Sequence, residues 1–243
     1  KIFVLLNKKN IYTQLIFFIL GKVNFIYLED FVYPEDFKIN KKKVKKIISK
    51  YKNTRSLFNY EESNVRVGRN ALSSTFRKLR IGSLNFKNKL HIKEIEKNIL
   101  LSLNSKLATE RILNSVKPNL LIFIERGYSP SGELFDNALN MNINVIQYCS
   151  GPENNNLIFK RYNSKNKNDH PISIGKDTLK LLKNLKFDSQ DQKKIIDKLK
   201  SNYEDGKWFN RQQLQVGKSI LNPDETRKLL KVKKGRKVAV IFS

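Results

Sequence analysis

The feature that most constrains the fold is a pair of short apolar runs separated by one amphipathic segment. Residues 119–125 and 143–148 are apolar and rich in branched side chains, which is typical of buried strands. Between them, residues 130–140 carry apolar side chains on one side, so this segment is predicted to be a helix. Ser129 is its predicted N-cap residue. A strand, a helix and a strand in this order predict two parallel strands joined by a crossover.

A second unit of the same kind opens the chain. Residues 2–6 and 23–28 have the apolar pattern of strands, and residues 11–20 form a predicted buried helix between them. The apolar stretch in this helix is too short to cross a membrane, which takes about 20 apolar residues. The sequence therefore predicts an α/β fold: a Rossmann-like parallel sheet flanked by helices, followed by a helical C-terminal segment.

The rest of the chain is predicted to be mainly helical. Residues 36–51 and 91–116 have apolar residues at helical spacing, whereas residues 53–88 have weak periodicity and are predicted to be mostly irregular with a short helix. Residues 149–174 are predicted to form a long, polar, irregular loop, broken only by the apolar residues 157–159. Further predictions are helices over 177–203, with a break near 187–188, over 208–221 and after a capping box at Asn222, and a strand over 238–242.

The net charge of +26, from 48 basic and 22 acidic residues, is the strongest compositional signal. Such a charge suggests nucleic acid or an anionic membrane as a partner. Most of the basic residues are Lys, however, whereas a protein that reads bases would favour the Arg fork. Lys, Asn, Ile and Phe are all abundant and all have A/T-rich codons, so we interpret the charge largely as codon bias. The cluster Arg66, Arg69, Arg77 and Arg80 is either surface charge or an anion-binding loop.

Cysteine and histidine are scarce, which limits the possible metal chemistry. Cys149 is the one cysteine, so the sequence given can form neither an intramolecular disulfide nor a multi-cysteine zinc site. Its histidines are His91 and His170, too few for a His-rich metal centre. The sequence therefore predicts no metal site and no cofactor.

The candidate site begins at the loop of residues 125–132, which joins a predicted strand end to a predicted helix. In open α/β sheets, ligands bind outside the carboxyl ends of the strands, close to helix N-termini. Glu125 and Glu133 are candidate general bases, although Glu133 near a helix N-terminus is favourable for the helix dipole alone. Gly127 and Gly132 have the spacing of a phosphate-binding loop, but Glu133 stands where that motif requires Lys.

Three more candidates lie in the predicted polar loop. His170 is a candidate catalytic or ligand-contacting residue, with a surface position as the alternative. Together with Cys149 it could form a nucleophile pair, but a small buried cysteine is the favoured interpretation. Lys160 and Arg161 either bind a phosphate or acidic sugar or form a solvated basic pair.

The run of residues 120–133, followed by residues 143–148, resembles the capsule polysaccharide biosynthesis proteins, which have a GT-B glycosyltransferase-like fold. That family has an apolar strand, a Gly-aromatic-x-Pro-x-Gly turn, a helix and a second strand ending in an aromatic residue. Here the turn is the segment Gly127-Tyr128-Ser129-Pro130-Ser131-Gly132, and Tyr148 ends the second strand. The pair Lys160-Arg161 with His170, and residues 206–209, 214–218 and 235–243, also resemble that family.

The resemblance implies a domain organisation. Residues 1–174 would form a Rossmann-like acceptor-side domain, residues 175–234 a helical linker, and residues 235–243 the first strand of a second Rossmann-like domain. The chain would then be the N-terminal portion of a longer enzyme, and this portion alone would be inactive. The location implied is the cytoplasm, with peripheral contact to the inner membrane.

The resemblance also implies a reaction: sugar transfer from a nucleotide sugar to a glycan or lipid-linked acceptor, with no cofactor and no metal. The nucleotide sugar would be held mostly by the second domain. Glu125, Glu133 or His170 would deprotonate the acceptor, whose pocket would be shaped by Gly127, Tyr128, Ser129 and Gly132, with Lys160 and Arg161 nearby. The alternatives are a basic nucleic-acid-binding protein and a non-catalytic scaffold of a polysaccharide assembly complex.

Overall fold

A computed structural model describes residues 2–9, 12, 23–151, 156–204, 222–233 and 235–236. The chain divides into two units: Lys1–Cys149 with Ile158–Ser173, and Ser150–Leu157 with Ile174–Ser243. Apart from residue 12, the helix predicted at 11–20 lies outside the described residues. The same holds for the whole of the helix predicted at 208–221, the strand predicted at 238–242 and residues 206–209 and 214–218. Within the described ranges, no helix combines the length and the apolar character that a membrane span requires.

Helices dominate the first unit. They are α1 (Pro34–Lys50), α2 (Thr54–Phe58), α3 (Val67–Leu79), α4 (Lys89–Val116) and α5 (Ser131–Asn140), with a 3-10 helix, Leu28–Phe31, ahead of α1. The second unit contains α6 (Lys176–Lys183), α7 (Ser189–Glu204) and α8 (Pro223–Leu229). The structure confirms the helices predicted at 36–51, 91–116 and 177–203, and the break between α6 and α7. It also confirms the capping box, because the Asn222 side chain accepts the backbone N–H groups of Asp224 and Glu225.

The strands form two small sheets among the described residues. β1 (Ile2–Leu6) pairs in parallel with β2 (Val23–Tyr27), and β3 (Leu120–Phe123) pairs in parallel with β4 (Asn144–Ser150). A further strand, β5 (Leu157–Tyr162), lies beside β4. The structure therefore confirms a mixed α/β fold, with α5 crossing from β3 to β4 as predicted.

The structure corrects the prediction for residues 53–88, because α2 and α3 both lie there. Val67, Ala71 and Leu72 of α3 are buried on one side of the helix, but the small and polar residues Gly68, Asn70 and Thr75 are buried with them, which weakens the apolar pattern in the sequence. Gly68 allows α3 to approach α2 closely, since a Cβ atom there would lie 1.8 Å from the Leu57 carbonyl oxygen.

The prediction for residues 149–174 was also wrong in part, because β5 lies within the predicted irregular loop. β5 carries a lysine, Lys160, whose side chain is almost fully buried. Its ammonium group donates to the carbonyl oxygens of His170 and Ser173, both at 3.0 Å, and to Ser173 Oγ at 2.6 Å. These acceptors replace water around the charge, which lets a lysine occupy a buried strand position.

Helix α4 connects the apolar clusters of the first unit. Ile95, Ile99 and Leu103 pack with α1, α2 and α3. Further along α4, Ala108 and Ile112 pack with the 3-10 helix, and Leu113 packs with α5, β3 and β4. Helix α4 thus packs against both the helices and the strands of the first unit.

Candidate functional site

The loop of residues 124–130 occupies the position that the sequence predicts for a site. It leaves the carboxyl end of β3 and leads into the first turn of α5. Because β3 and β4 are parallel, the carboxyl ends of both strands lie at the same edge of the sheet. Ligand-binding residues of α/β proteins are commonly found at this edge.

Two exposed side chains, those of Arg77 and Glu125, meet the half-buried ring of Tyr128 at this loop. Arg77 of α3 places Nη1 3.1 Å from Glu125 Oε2, and its guanidinium carbon lies 4.7 Å from the ring centroid of Tyr128. Gly127, between them in sequence, is open, since a Cβ atom built there would have no heavy atom within 4 Å beyond its chain neighbours. A carboxylate, a guanidinium and an aromatic ring thus border an open stretch of backbone.

Glu133, in contrast, is completely buried beneath the loop. Its Oε1 accepts hydrogen bonds from Ser129 Oγ, at 2.7 Å, and from Ser102 Oγ of α4. Its Oε2 has no hydrogen-bond partner among the described residues. Burial raises the pKa of Glu133 to about 7, although the hydroxyl donors act in the opposite direction. A carboxyl group with this pKa changes between its neutral and its charged form near neutral pH.

Ser129 does not cap α5, which corrects the sequence prediction. The N-cap residue is Pro130, and no side chain caps the helix N-terminus. Ser129 instead donates its hydroxyl hydrogen to Glu133, while its backbone N–H donates to Ser74 Oγ at 3.1 Å. Because the helix begins at Ser131, Ser129 lies one residue before the N-cap position, and its two hydrogen bonds tie the loop to both α3 and α5.

Gly132 permits the close approach of α3 and α5. A Cβ atom at this position would lie 2.5 Å from Asn70 Cγ and Oδ1 and 2.6 Å from Asn70 Nδ2. Asn70 is almost fully buried, so its side chain has little room to move away. Gly132 is therefore required by packing, whereas Gly127 is not.

We expect Gly132→Ala to lower the free energy of unfolding by about 1–3 kcal/mol, because the added methyl group overpacks the contact with Asn70. Urea denaturation measures this change, and Gly127→Ala, in open space, is the matched control with an expected effect within about 0.5 kcal/mol. Shortening the neighbour with Asn70→Ala should reduce the penalty of the Gly132 substitution. An equal penalty in both backgrounds would show that Asn70 is not its cause.

Arginines lie deeper, behind the loop. Arg66, at the N-terminus of α3, pairs with Asp136 of α5 at 2.5 Å, and the side chains are only 6% and 1% exposed. Arg126 is also buried, with its guanidinium carbon 4.5 Å from the ring centroid of Phe135 and 4.1 Å from that of Tyr162. These residues link the loop and α5 to the segment that follows β5.

The other residues that the sequence analysis singled out, Lys160, His170 and Arg161, do not lie together. Lys160 is engaged with the carbonyl groups of residues 170 and 173, and its ammonium lies 3.4 Å from Asp169 Oδ2. His170 is exposed, and its Nδ1 accepts the backbone N–H of Ile172 at 3.2 Å. Arg161 donates to Asn144 Oδ1 at 2.8 Å, at the amino end of β4, so it lies away from the loop at the carboxyl end of β3.

Sequence reasoning missed Arg126 and Asn168. Arg126 follows Glu125 directly, so the rule that singled out Glu125 at a strand end applied to it equally. Asn168 lies in the segment predicted to be irregular, and its side chain accepts hydrogen bonds from Arg66 and Arg69, about 100 residues earlier in the chain. No local pattern marks a contact of that range.

The chain was compared with protein-family models, with curated proteins and with solved structures, and no match was found. What this site can do chemically follows from the contacts and charges of the loop and of the residues around it.

Proposed function

We propose that this chain belongs to a glycosyltransferase of surface polysaccharide biosynthesis, which moves a sugar from a nucleotide sugar to a glycan or lipid-linked acceptor. The observation that carries the proposal is the open group formed by Glu125, Arg77 and Tyr128 around Gly127, at the carboxyl edge of parallel strands. In this proposal the first unit is Rossmann-like and receives the acceptor. The nucleotide sugar is bound mostly by a further domain, in the cytoplasm at the inner membrane face.

The chemistry that we propose uses Glu125 as the general base. Its carboxylate takes the proton of an acceptor hydroxyl as that oxygen forms a bond to the sugar carbon. The bond from this carbon to the nucleotide breaks, and the nucleotide leaves with the electron pair. Tyr128 offers a flat apolar face with a polar edge, which suits a sugar ring, and the open backbone at Gly127 leaves space for it.

Glu133 and Ser129 have a positioning role in this proposal. Glu133 is buried in this structure and does not reach the open side of the loop, but its hydrogen bond with Ser129 fixes the loop above it. His170 is the second candidate base because its ring is exposed. Lys160 holds the segment that carries His170, through the backbone carbonyl of that residue.

Sugar transfer by the natural full-length protein tests the proposal, measured as labelled sugar moved from UDP-, GDP- and CMP-linked donors to glycan and lipid fractions. We expect Glu125→Gln to reduce turnover by about 100-fold or more, because the amide cannot take the proton. Glu35→Gln, which changes an exposed carboxylate on α1, is the matched control and should leave turnover unchanged.

Two results would contradict this assignment. If Glu125→Gln turned over as fast as the control while His170→Ala lost activity, the base would be His170 and not Glu125. If no donor supported transfer, and the protein instead bound duplex RNA with an affinity that fell steeply with salt, the basic nucleic-acid-binding alternative would replace the proposal.

A further inference from the structure

Three guanidinium groups converge behind the loop, within the first unit. Arg66 and Arg69 both donate to Asn168 Oδ1, at 2.8 and 2.9 Å. Arg66 and Arg126 both reach the Lys167 carbonyl oxygen, at 3.4 and 2.8 Å. The guanidinium groups of Arg66 and Arg126 also both lie against the Phe135 ring. The contacts place three positive charges around one short segment.

The charges of this arginine cluster, Arg66, Arg69 and Arg126, are not balanced. Asp136 pairs with Arg66, but the hydrogen-bond acceptors of Arg126 are the neutral Gln147 side chain and two backbone carbonyls. Arg69 contacts only Asn168 by hydrogen bonding within the described ranges, and no carboxylate there pairs with it. The pKa of Arg69 is lowered first by burial and then by the positive charges of Arg66 and Arg126. Such repulsion favours an anion at this position.

The roles of the three arginines differ. Arg66 and Arg126 are buried and hold the segment after β5 through its carbonyl groups, which explains their presence structurally. Arg69 is only partly buried, its guanidinium carbon lies 5.4 Å from the Phe58 ring centroid, and it uses one of its five N–H donors on Asn168. Its other four N–H donors have no hydrogen-bond partner among the described residues, so those that face solvent can bind a ligand.

We propose that Arg69, backed by the charges of Arg66 and Arg126, binds the phosphate group of a phosphate ester or diphosphate. A guanidinium fork matches two phosphate oxygens, and the three arginines with Asp136 counted keep two positive charges, which favours a group that carries more than one negative charge. The ring of Phe58 limits the rotation of Arg69, so less freedom is lost when the ligand binds. This inference goes beyond the proposed sugar transfer and does not depend on it, because it concerns binding alone.

Calorimetric titration of the full chain with inorganic phosphate and with pyrophosphate tests the inference. We expect Arg69→Ala to weaken binding by about tenfold or more, because it removes the guanidinium fork. The affinity of Arg69→Lys should lie between those of the wild type and Arg69→Ala, because lysine keeps the charge. The control is Arg55→Ala, which removes one exposed arginine of α2. This control is essential because a chain of net charge +26 attracts anions over its whole surface.

Vesicle flotation distinguishes the sources of the phosphate. If Arg69→Ala weakens attachment to phosphatidic acid vesicles and Arg55→Ala does not, the ligand is a lipid phosphate; if only pyrophosphate or phosphate binding depends on Arg69, it is a soluble one. The inference is overturned if Arg69→Ala and Arg55→Ala have equal effects on every probe, or if no probe binds. Urea unfolding of Arg69→Ala confirms that the variant is folded, so a loss of binding is not a loss of structure.

Discussion

Replacing Asp136 with Ala is expected to lower the free energy of unfolding by about 3–5 kcal/mol, the largest effect that we expect of a single substitution in this chain. The carboxylate of Asp136 accepts from the Arg66 backbone N–H at 2.9 Å, from Nε at 3.0 Å and from Nη2 at 2.5 Å. Without it, a guanidinium with a 6% exposed side chain loses its counter-charge and stays beside Arg69 and Arg126. A buried charge without a partner is far more costly than a pair is favourable.

Urea unfolding measures this effect, and the chain offers a matched control. Glu125→Ala breaks the Arg77–Glu125 pair, whose side chains are 63% and 56% exposed, and should cost only about 0–1 kcal/mol. Replacing both buried partners, with Arg66→Met and Asp136→Leu together, should recover much of the loss because no charge is then left unpaired. If Asp136→Ala cost no more than Glu125→Ala, the buried pair would not hold α3 to α5.

The second large effect depends on pH and concerns Glu133. In the unfolded chain this carboxyl group loses its proton near its usual pKa of 4.5, whereas in the folded chain burial raises the pKa to about 7. Between these values the folded state keeps a proton that the unfolded state has lost, so stability falls as the pH rises. The stabilising contribution is complete below about pH 4.5 and is lost as the pH rises through about 7.

Glu133→Gln should remove this dependence, because an amide cannot ionise. The amide oxygen of Gln can still accept the hydrogen bonds from Ser102 and Ser129. The neighbouring Asn70 is uncharged, so it adds no pH dependence of its own. We expect wild type and variant to have similar stability near pH 4.5, with the variant more stable by about 3 kcal/mol above pH 8. Urea unfolding across this range gives the comparison, with Glu125→Gln as the control for loss of an exposed carboxylate. Parallel stability curves for wild type and Glu133→Gln would contradict the buried proton.

Elements with strong periodicity could be predicted from the sequence, and the reason is visible in the core. Ile95, Ile99 and Leu103 of α4 are spaced by one helical turn and are all buried in one cluster. Helix α3 is less evident in the sequence, because Gly68, Asn70 and Thr75 are buried beside its apolar core residues and interrupt the apolar pattern. Packing of small and polar residues against α2 and α5 decides that helix, and such packing depends on residues distant in the sequence.

The site shows the same division. The position of the loop after β3 follows from the order of strand and helix, so Glu125, Gly127 and Tyr128 could be singled out in advance. The sequence does not predict whether a side chain of this region faces solvent or the interior, because that depends on its contacts with α3 and α4. Glu133 is covered by Ser102, which lies 31 residues away, and the exposed Glu125 contacts Arg77, which lies 48 residues away. Only the folded chain separates the two glutamates.

Helix α4 is the element against which all three apolar clusters of the first unit pack. Its 28 residues span roughly 40 Å, and different sides of it contribute residues to three apolar clusters. The sheets are small, with two and three strands among the described residues, and sheets of this size gain stability by packing against a helix. Separation of either sheet from α4 would expose apolar surface of α4 to water. The unfolding of one end of the unit is therefore coupled to the unfolding of the other end.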